Sequence, residues 1–99
     1  MNQLQMMMAQ ANKIKRELRK AQEELDAKEF VVSKGGAVTV TVLGNKTIKS
    51  VSIDEDAFDK DNKEMVEEMI ALAITEALEQ IEQATRAYKE KITGSPEGY

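Results

Sequence analysis

The chain has 99 residues and a net charge of −4, and its 41% hydrophobic and 32% charged residues suit one folded, soluble domain. It contains no cysteine and no histidine, which excludes disulfides, thiolate metal sites and the commonest general base of enzymes. A phosphate-binding glycine loop and a paired-acid motif are also absent, so we predict a binding protein, not an enzyme, with no metal, cofactor or small-molecule substrate.

The first predicted element is a long helix over residues 2–27, which neither glycine nor proline interrupts. Its apolar residues recur at alternating steps of three and four, the a/d spacing of a coiled-coil seam. The members of this seam are Leu4, Met7, Ala11, Ile14, Leu18, Ala21 and Leu25. The three consecutive methionines at 6–8 give the helix an adaptable start, which either fills gaps in the seam or contacts a partner.

Three strands are predicted next, over residues 29–34, 37–43 and 46–53. Valine alternates with threonine from residue 38 to 42, as in a half-buried strand. The pairs Gly35-Gly36 and Gly44-Asn45 mark the two turns between the strands. A slip of phase between Ile48 and Val51 indicates a β-bulge. Together these segments predict a three-stranded antiparallel meander.

A second long helix is predicted over residues 62–92, with Asp61 and Glu64 as its N-terminal capping box. Its first turns are broadly apolar, and its later turns narrow to a stripe that steps by four, three and four. We expect the wide part to cover the sheet and the narrow part to meet another helix. Residues 93–99 are expected to form a flexible tail. The predicted fold is a single α+β domain over residues 1–99.

The lengths of these elements favour a homodimer. A helix of about 24 residues is roughly 36 Å long, whereas a six-residue strand spans about 20 Å. Both helices therefore outrun the sheet, and we expect a second copy to cover the apolar stripes that remain. The alternative is a monomer in which the helices form an antiparallel hairpin. The dimer and packing seam is predicted to comprise Met7, Ala11, Ile14, Leu18, Ala77, Ile81, Ala84 and Tyr88.

Charge is distributed unevenly along the chain. Residues 1–53 carry 9 − 5 = +4, and residues 54–99 carry 5 − 13 = −8. Two basic sets in the first half are candidate contacts for a nucleic-acid backbone. Their members are Lys13, Lys15, Arg16, Arg19 and Lys20 on the first helix, and Lys34, Lys46 and Lys49 on the sheet. The helical set also fits a solvated face with i,i+4 pairs to glutamates, and the sheet set also fits protection of edge strands.

The acidic run from Asp54 to Asp61 does not form a calcium-binding EF-hand loop. Phe58 stands where a ligand is needed, Asp59 replaces the required glycine, and the twelfth residue is Met65 instead of glutamate. Helix capping and loop solvation explain the acids better.

The order of these elements, with their particular residues, resembles the YbaB/EbfC family of nucleoid-associated DNA-binding proteins, of which the chain would be a divergent member. The resemblance covers roughly residues 4–92 and depends on the order and spacing of several stretches. These are residues 7–11 (MMAQA), 36–44 (GAVTVTVLG), 51–54 (VSID), 61–69 (DNKEMVEEM) and 77–79 (ALE). One departure is Glu55, which stands where the family usually has proline.

The resemblance implies a tweezer-like homodimer that binds double-stranded DNA and serves chromosome organisation or gene expression, with the bases of the first helix as the contacts. It places the protein at the nucleoid. The sequence itself points to the cytoplasm, because no apolar run approaches a membrane span and no secretory signal is recognisable. The alternative is a prefoldin-like or adaptor module that binds proteins and not DNA.

Overall fold

A computed structural model describes residues 2–95 of the chain, and it confirms the predicted order of a long helix, a three-stranded antiparallel sheet and a second long helix. The elements are α1 (Gln3–Ala27), β1 (Glu29–Lys34), β2 (Val38–Leu43), β3 (Ile48–Ile53) and α2 (Lys63–Thr93). Two short 3₁₀ turns, Glu55–Ala57 and Lys60–Asn62, connect β3 to α2. Of the expected tail, Thr93 belongs to α2, and residues 96–99 lie outside the described residues.

Local chemistry explains where each helix begins and ends. Asn2 and Gln5 form a capping box at the start of α1, in which each side chain accepts a hydrogen bond from the backbone of the other residue. The helix ends where Lys28 turns extended, with φ −73° and ψ 138°. Gly94 ends α2 in the left-handed region at φ 79°, as is usual for glycine after a helix.

The predicted capping box at the start of α2 is wrong. Asn62 occupies the N-cap position and makes no side-chain capping bond. Asp61 lies one residue earlier, inside the 3₁₀ turn, where its backbone N–H donates to the carboxylate of Asp59 at 2.8 Å. Asp59 therefore caps the short turn, whereas the sequence pattern had assigned a capping role to Asp61 at the start of the long helix.

The sheet has strand order β1-β2-β3, and both pairs are antiparallel. Gly35 and Gly36 both have positive φ, near 60°, which a tight hairpin turn requires. Between β2 and β3, Thr41 lies opposite Ser50 while Val42 lies opposite Ile48. Lys49 is therefore the extra residue, and the bulge expected between Ile48 and Val51 is confirmed.

The core lies between the sheet and the first half of α2. Val38, Val40 and Val42 turn to this side of β2 and are essentially fully buried. They pack in one cluster with Ala73 and Ala77 of α2, whose small side chains let the helix approach the sheet closely. The opposite sheet face carries hydroxyls, which alternate with the valines as expected for an antiparallel sheet covered on one side.

The molecule is strongly elongated, with extents of 71 × 19 × 14 Å. Its radius of gyration is 19.4 Å, whereas a compact domain of this length has about 13 Å. The cause is α1, whose residues 3–12 are all exposed and are called the arm below. Within residues 2–95, no helix is long and apolar enough to cross a membrane.

Candidate nucleic-acid interface

The second half of α1 packs antiparallel against the end of α2, and this two-helix segment, residues 13–27 with 81–93, is called the stalk below. The direction follows from the sheet: Met69 of α2 lies beside Gly35 at one end, whereas Gly44 at the other end touches Leu25 of α1. The α2 helix therefore runs towards the end of the sheet where α1 arrives. Beyond it, the Tyr88 hydroxyl donates a hydrogen bond to Oε1 of Gln22.

The stalk contact also affects the chemistry of Tyr88. Burial, and then the negative charge of nearby Asp26, raise the pKa of the Tyr88 phenol above its ordinary value. The phenol therefore stays protonated and able to donate to Gln22 over the whole physiological range. This polar contact joins two residues that are 66 positions apart in sequence and aligns the two helices.

The five predicted bases of α1 lie together on the stalk and are all exposed. At about 100° per residue, Arg16 points away from the apolar seam, and the other four bases lie on either side of Arg16. None of the five forms an ion pair within residues 2–95, so the i,i+4 pairs with glutamates that would have neutralised this face are not made. The positive charge of α1 is available to an external anion.

Three further bases lie on the part of α2 that belongs to the stalk. Because the two helices are antiparallel and Tyr88 contacts Gln22, Lys91 lies level with residue 19 of α1 and Lys89 with residue 21. Arg86 follows one turn nearer the sheet and pairs with Glu82 at 3.2 Å. Sequence analysis missed these residues because they were counted within the acidic half. The concentration of bases at 86–91 was the available signal.

The predicted bases of the sheet are distributed differently. Lys34 pairs with Glu76 at 2.6 Å, and Lys49 pairs with Glu29 across the sheet. Lys46 is exposed in the β2–β3 turn, with φ 72°. Because that turn is bound to the end of α1, Lys46 lies at the base of the stalk, whereas Lys34 lies at the far end of the sheet.

Six members of the predicted dimer and packing seam are covered within the chain, and two are exposed. Ala77 and Ile81 are buried, and four members are half-buried; these are Ile14, Leu18, Ala84 and Tyr88. Met7 and Ala11 are exposed on the arm. The neighbouring Leu4, Met6 and Met8 are 57–65% exposed, so the methionines do not fill gaps within the chain.

The fold and the surface together define a class: a small elongated α+β protein whose stalk carries exposed α1 bases that form no ion pair within residues 2–95. The chain belongs to the YbaB/EbfC DNA-binding family, whose model matches residues 1–96. A nucleoid-associated protein of Clostridium novyi is 42% identical over 89% of this chain and 78% of its own length. Another, of Enterococcus faecalis, is 36% identical over 100% of this chain and 96% of its own length. A third, of Agathobacter rectalis, is 43% identical over 89% and 79%.

Proposed function

We propose that this protein is a nucleoid-associated protein that binds double-stranded DNA as a homodimer, mainly through phosphate contacts, and thereby serves chromosome organisation or gene expression. The observation that carries the proposal is the set of five exposed bases on α1, none of which has an ion-pair partner within residues 2–95. Membership of the YbaB/EbfC family and the names of the relatives support the choice of DNA as the anion.

The overall charge of −4 does not argue against this function, because the densest group of acids lies far from the bases of the stalk. The acidic residues 54–68 lie at the end of the sheet opposite the stalk, on a molecule 71 Å long. At about 0.1 M salt the Debye length is roughly 10 Å, so the acids are screened from a phosphate at the stalk. The charge nearest the phosphate is that of the stalk, whose eight bases outnumber its six acids.

The proposed contacts are ranked by whether each base already has a carboxylate partner. The bases of α1 are the primary contacts, and Lys46, Lys89 and Lys91 extend the same surface. Lys34 and Lys49 are secondary, because each already has a carboxylate partner. Lysine and arginine reaching phosphates hold the protein on the duplex but carry little sequence information, so we expect weak sequence preference.

The homodimer is supported by apolar surface that the single chain leaves uncovered. One such surface is on the arm and includes Met7 and Ala11; the other includes Phe58 and Val51 at the opposite end. Each fully buried side chain of this kind contributes about 1.5–3 kcal/mol, so a second copy gains substantially by covering either surface. Two arms projecting from one dimer would give the tweezer shape.

The test is a DNA titration by fluorescence anisotropy at several salt concentrations. The double variant Arg16→Ala/Arg19→Ala should bind more weakly, and the slope of log K against log salt should flatten by about 0.9 for each lost phosphate contact. The matched control, Lys34→Gln/Lys49→Gln, also removes two positive charges but from residues that are already paired. It should keep a slope close to that of the unmodified protein.

Absence of binding at about 50 mM salt, with folded protein in excess, would refute the proposal. Equal slopes for the two double variants would refute the placing of the DNA contacts on the stalk, but not DNA binding itself.

The exposed arm favours one other candidate function, that of a prefoldin-like protein-binding module, because Leu4 and Met7 present an apolar stripe at the tip of the arm. That candidate predicts suppression of a client's aggregation, lost in Leu4→Gln/Met7→Gln, with no salt-sensitive binding to DNA.

A further inference from the structure

Beyond the end of α2, the first helix continues alone. By the alignment of Tyr88 with Gln22, the last residue of α2, Thr93, lies level with residue 17 of α1. Residues 3–16 therefore project past α2 over a length of about 21 Å, at 1.5 Å per residue. One helix with its side chains is about 10–12 Å wide, and the major groove of B-DNA is about 12 Å wide. The projecting part of α1 thus fits the groove, whereas the two-helix stalk is too broad to enter it.

The projecting part of α1 also has the charge and the polar groups that a DNA groove favours. Residues 2–16 contain no acid, and their only charged side chains are Lys13, Lys15 and Arg16. The arm itself is uncharged, and residues 2–12 carry five amide side chains. These are Asn2, Gln3, Gln5, Gln10 and Asn12. An amide recognises adenine in the major groove, because it can accept from N6 and donate to N7 at the same time. The arm therefore carries base-reading chemistry, and the bases that follow it carry phosphate-binding chemistry.

Asn12 is the amide that is best placed for such a contact. Its side chain is exposed and forms no hydrogen bond within residues 2–95. It shares one face of α1 with Arg16 and Arg19, because residues four and seven positions apart lie above one another on a helix. Gln5 lies on the same face two turns further out, but its carbonyl oxygen already accepts a hydrogen bond in the capping box at the start of the helix. Asn12 thus combines a free amide with neighbouring bases that can hold the phosphates beside the groove.

We infer that the arm enters the major groove and that the Asn12 amide reads an adenine there, accepting a hydrogen bond from N6 and donating one to N7. Met8 precedes Asn12 by one turn on the same side of α1 and is 57% exposed. Its apolar side chain suits the methyl group of thymine, which lies at the edge of the same groove. The inference rests on the proposed function and adds a preference for A·T pairs to binding that is mainly driven by phosphates.

The experiment compares two DNA duplexes by fluorescence anisotropy. Both are alternating A·T duplexes of the same length, so every register presents adenines to the arm, and in one of them 7-deazaadenine replaces adenine. The replacement removes the N7 acceptor from the major groove but keeps the charge, the base pairing and the minor groove. The unmodified protein should bind the 7-deaza duplex roughly tenfold more weakly, as expected for the loss of one bidentate amide–adenine contact.

Asn12→Ala should abolish this discrimination, so that its affinities for the two duplexes agree within about twofold. Because Asn12 is uncharged, the slope of log K against log salt should stay that of the unmodified protein. The matched control is Gln10→Ala, which removes another exposed amide of the arm but from a face about 160° away. It should keep the discrimination. Both positions are exposed and alanine favours the helix, so both variants should keep the circular dichroism spectrum.

Equal affinity of the unmodified protein for the two duplexes would overturn the inference. So would discrimination that persists in Asn12→Ala, or that is lost to the same extent in Gln10→Ala. In each of these cases, salt-dependent binding of both duplexes would leave the proposed function intact. An unmodified protein that binds neither duplex at about 50 mM salt would refute the proposed function and this inference together.

Discussion

Gly44 shows how a single residue joins the sheet to the stalk. A Cβ atom at this position would lie 1.7 Å from the backbone carbonyl oxygen of Leu25, a distance that no pair of non-bonded atoms tolerates. The Gly44 N–H also donates to the carbonyl of Lys28 at 2.9 Å. Glycine is needed here for close approach and not for positive φ, which in this turn is adopted by Lys46.

Gly44→Ala should therefore destabilise the protein. The crowding atoms belong to the backbone and cannot rotate away, so α1 must shift relative to the β2–β3 turn, at a cost of about 1–3 kcal/mol or more. Urea denaturation followed by circular dichroism measures the change. Gly36→Asn is the control, since its Cβ position is open and asparagine tolerates positive φ. A Gly44→Ala protein as stable as the control would contradict this account.

At the scale of the elements, periodicity carried most of the prediction. The alternation of valine and threonine predicted β2, and the a/d spacing predicted α1, because each pattern places apolar side chains on one face of one kind of element. Boundaries depended on finer contacts. β3 begins at Ile48 and not at residue 46, because Lys46 has a left-handed backbone conformation in the turn. The α2 helix begins one residue later than predicted, because Asp59 caps a short 3₁₀ turn that precedes it.

The contact between the two helices of the stalk leads to a prediction about pH. Tyr88→Phe removes the hydrogen bond to Gln22 and should lower the free energy of unfolding by about 0.5–1.5 kcal/mol at neutral pH. In the unmodified protein the raised pKa of Tyr88 favours the protonated phenol in the folded state. Its contribution is complete below the unfolded pKa of about 10 and is lost as the pH rises through the higher folded pKa.

Phenylalanine does not ionise, so the variant should lose less stability than the unmodified protein as the pH rises above the unfolded pKa of about 10. Urea unfolding at a series of pH values checks this. Gln22→Ala provides the comparison, because it removes the acceptor of the hydrogen bond but leaves the ionisable phenol. If the free energy of unfolding falls equally with pH in Tyr88→Phe and in the unmodified chain, the pKa of this phenol is the same in the folded and unfolded states.

At the scale of the whole molecule, the sequence predicted one half of the candidate interface and missed the other. The bases of α1 are close in sequence and sit on one helix, so their cluster could be recognised directly. Lys89 and Lys91 join them only through the packing of α1 on α2. Likewise, no local pattern indicates that Lys34 and Lys49 meet carboxylates, since Glu76 and Glu29 are distant in sequence.

The mass in solution tests the proposed assembly. Light scattering at micromolar concentration should give about 22.2 kDa, which is twice the chain mass of 11.1 kDa. Small-angle scattering should give a radius of gyration above the 19.4 Å of one chain, because the centres of mass of the two copies lie apart. A particle of 11.1 kDa with the single-chain radius would exclude the homodimer.

The separation of charge along the 71 Å axis also affects how the protein reaches its target. The excess of positive groups on the stalk and of negative groups in residues 54–68 gives the chain an electric dipole along this axis. In the field of a polyanion such a dipole experiences a torque that turns the basic end forward before contact. At low ionic strength encounters are thus pre-oriented before contact, and this guidance fades as added ions shorten the reach of the field.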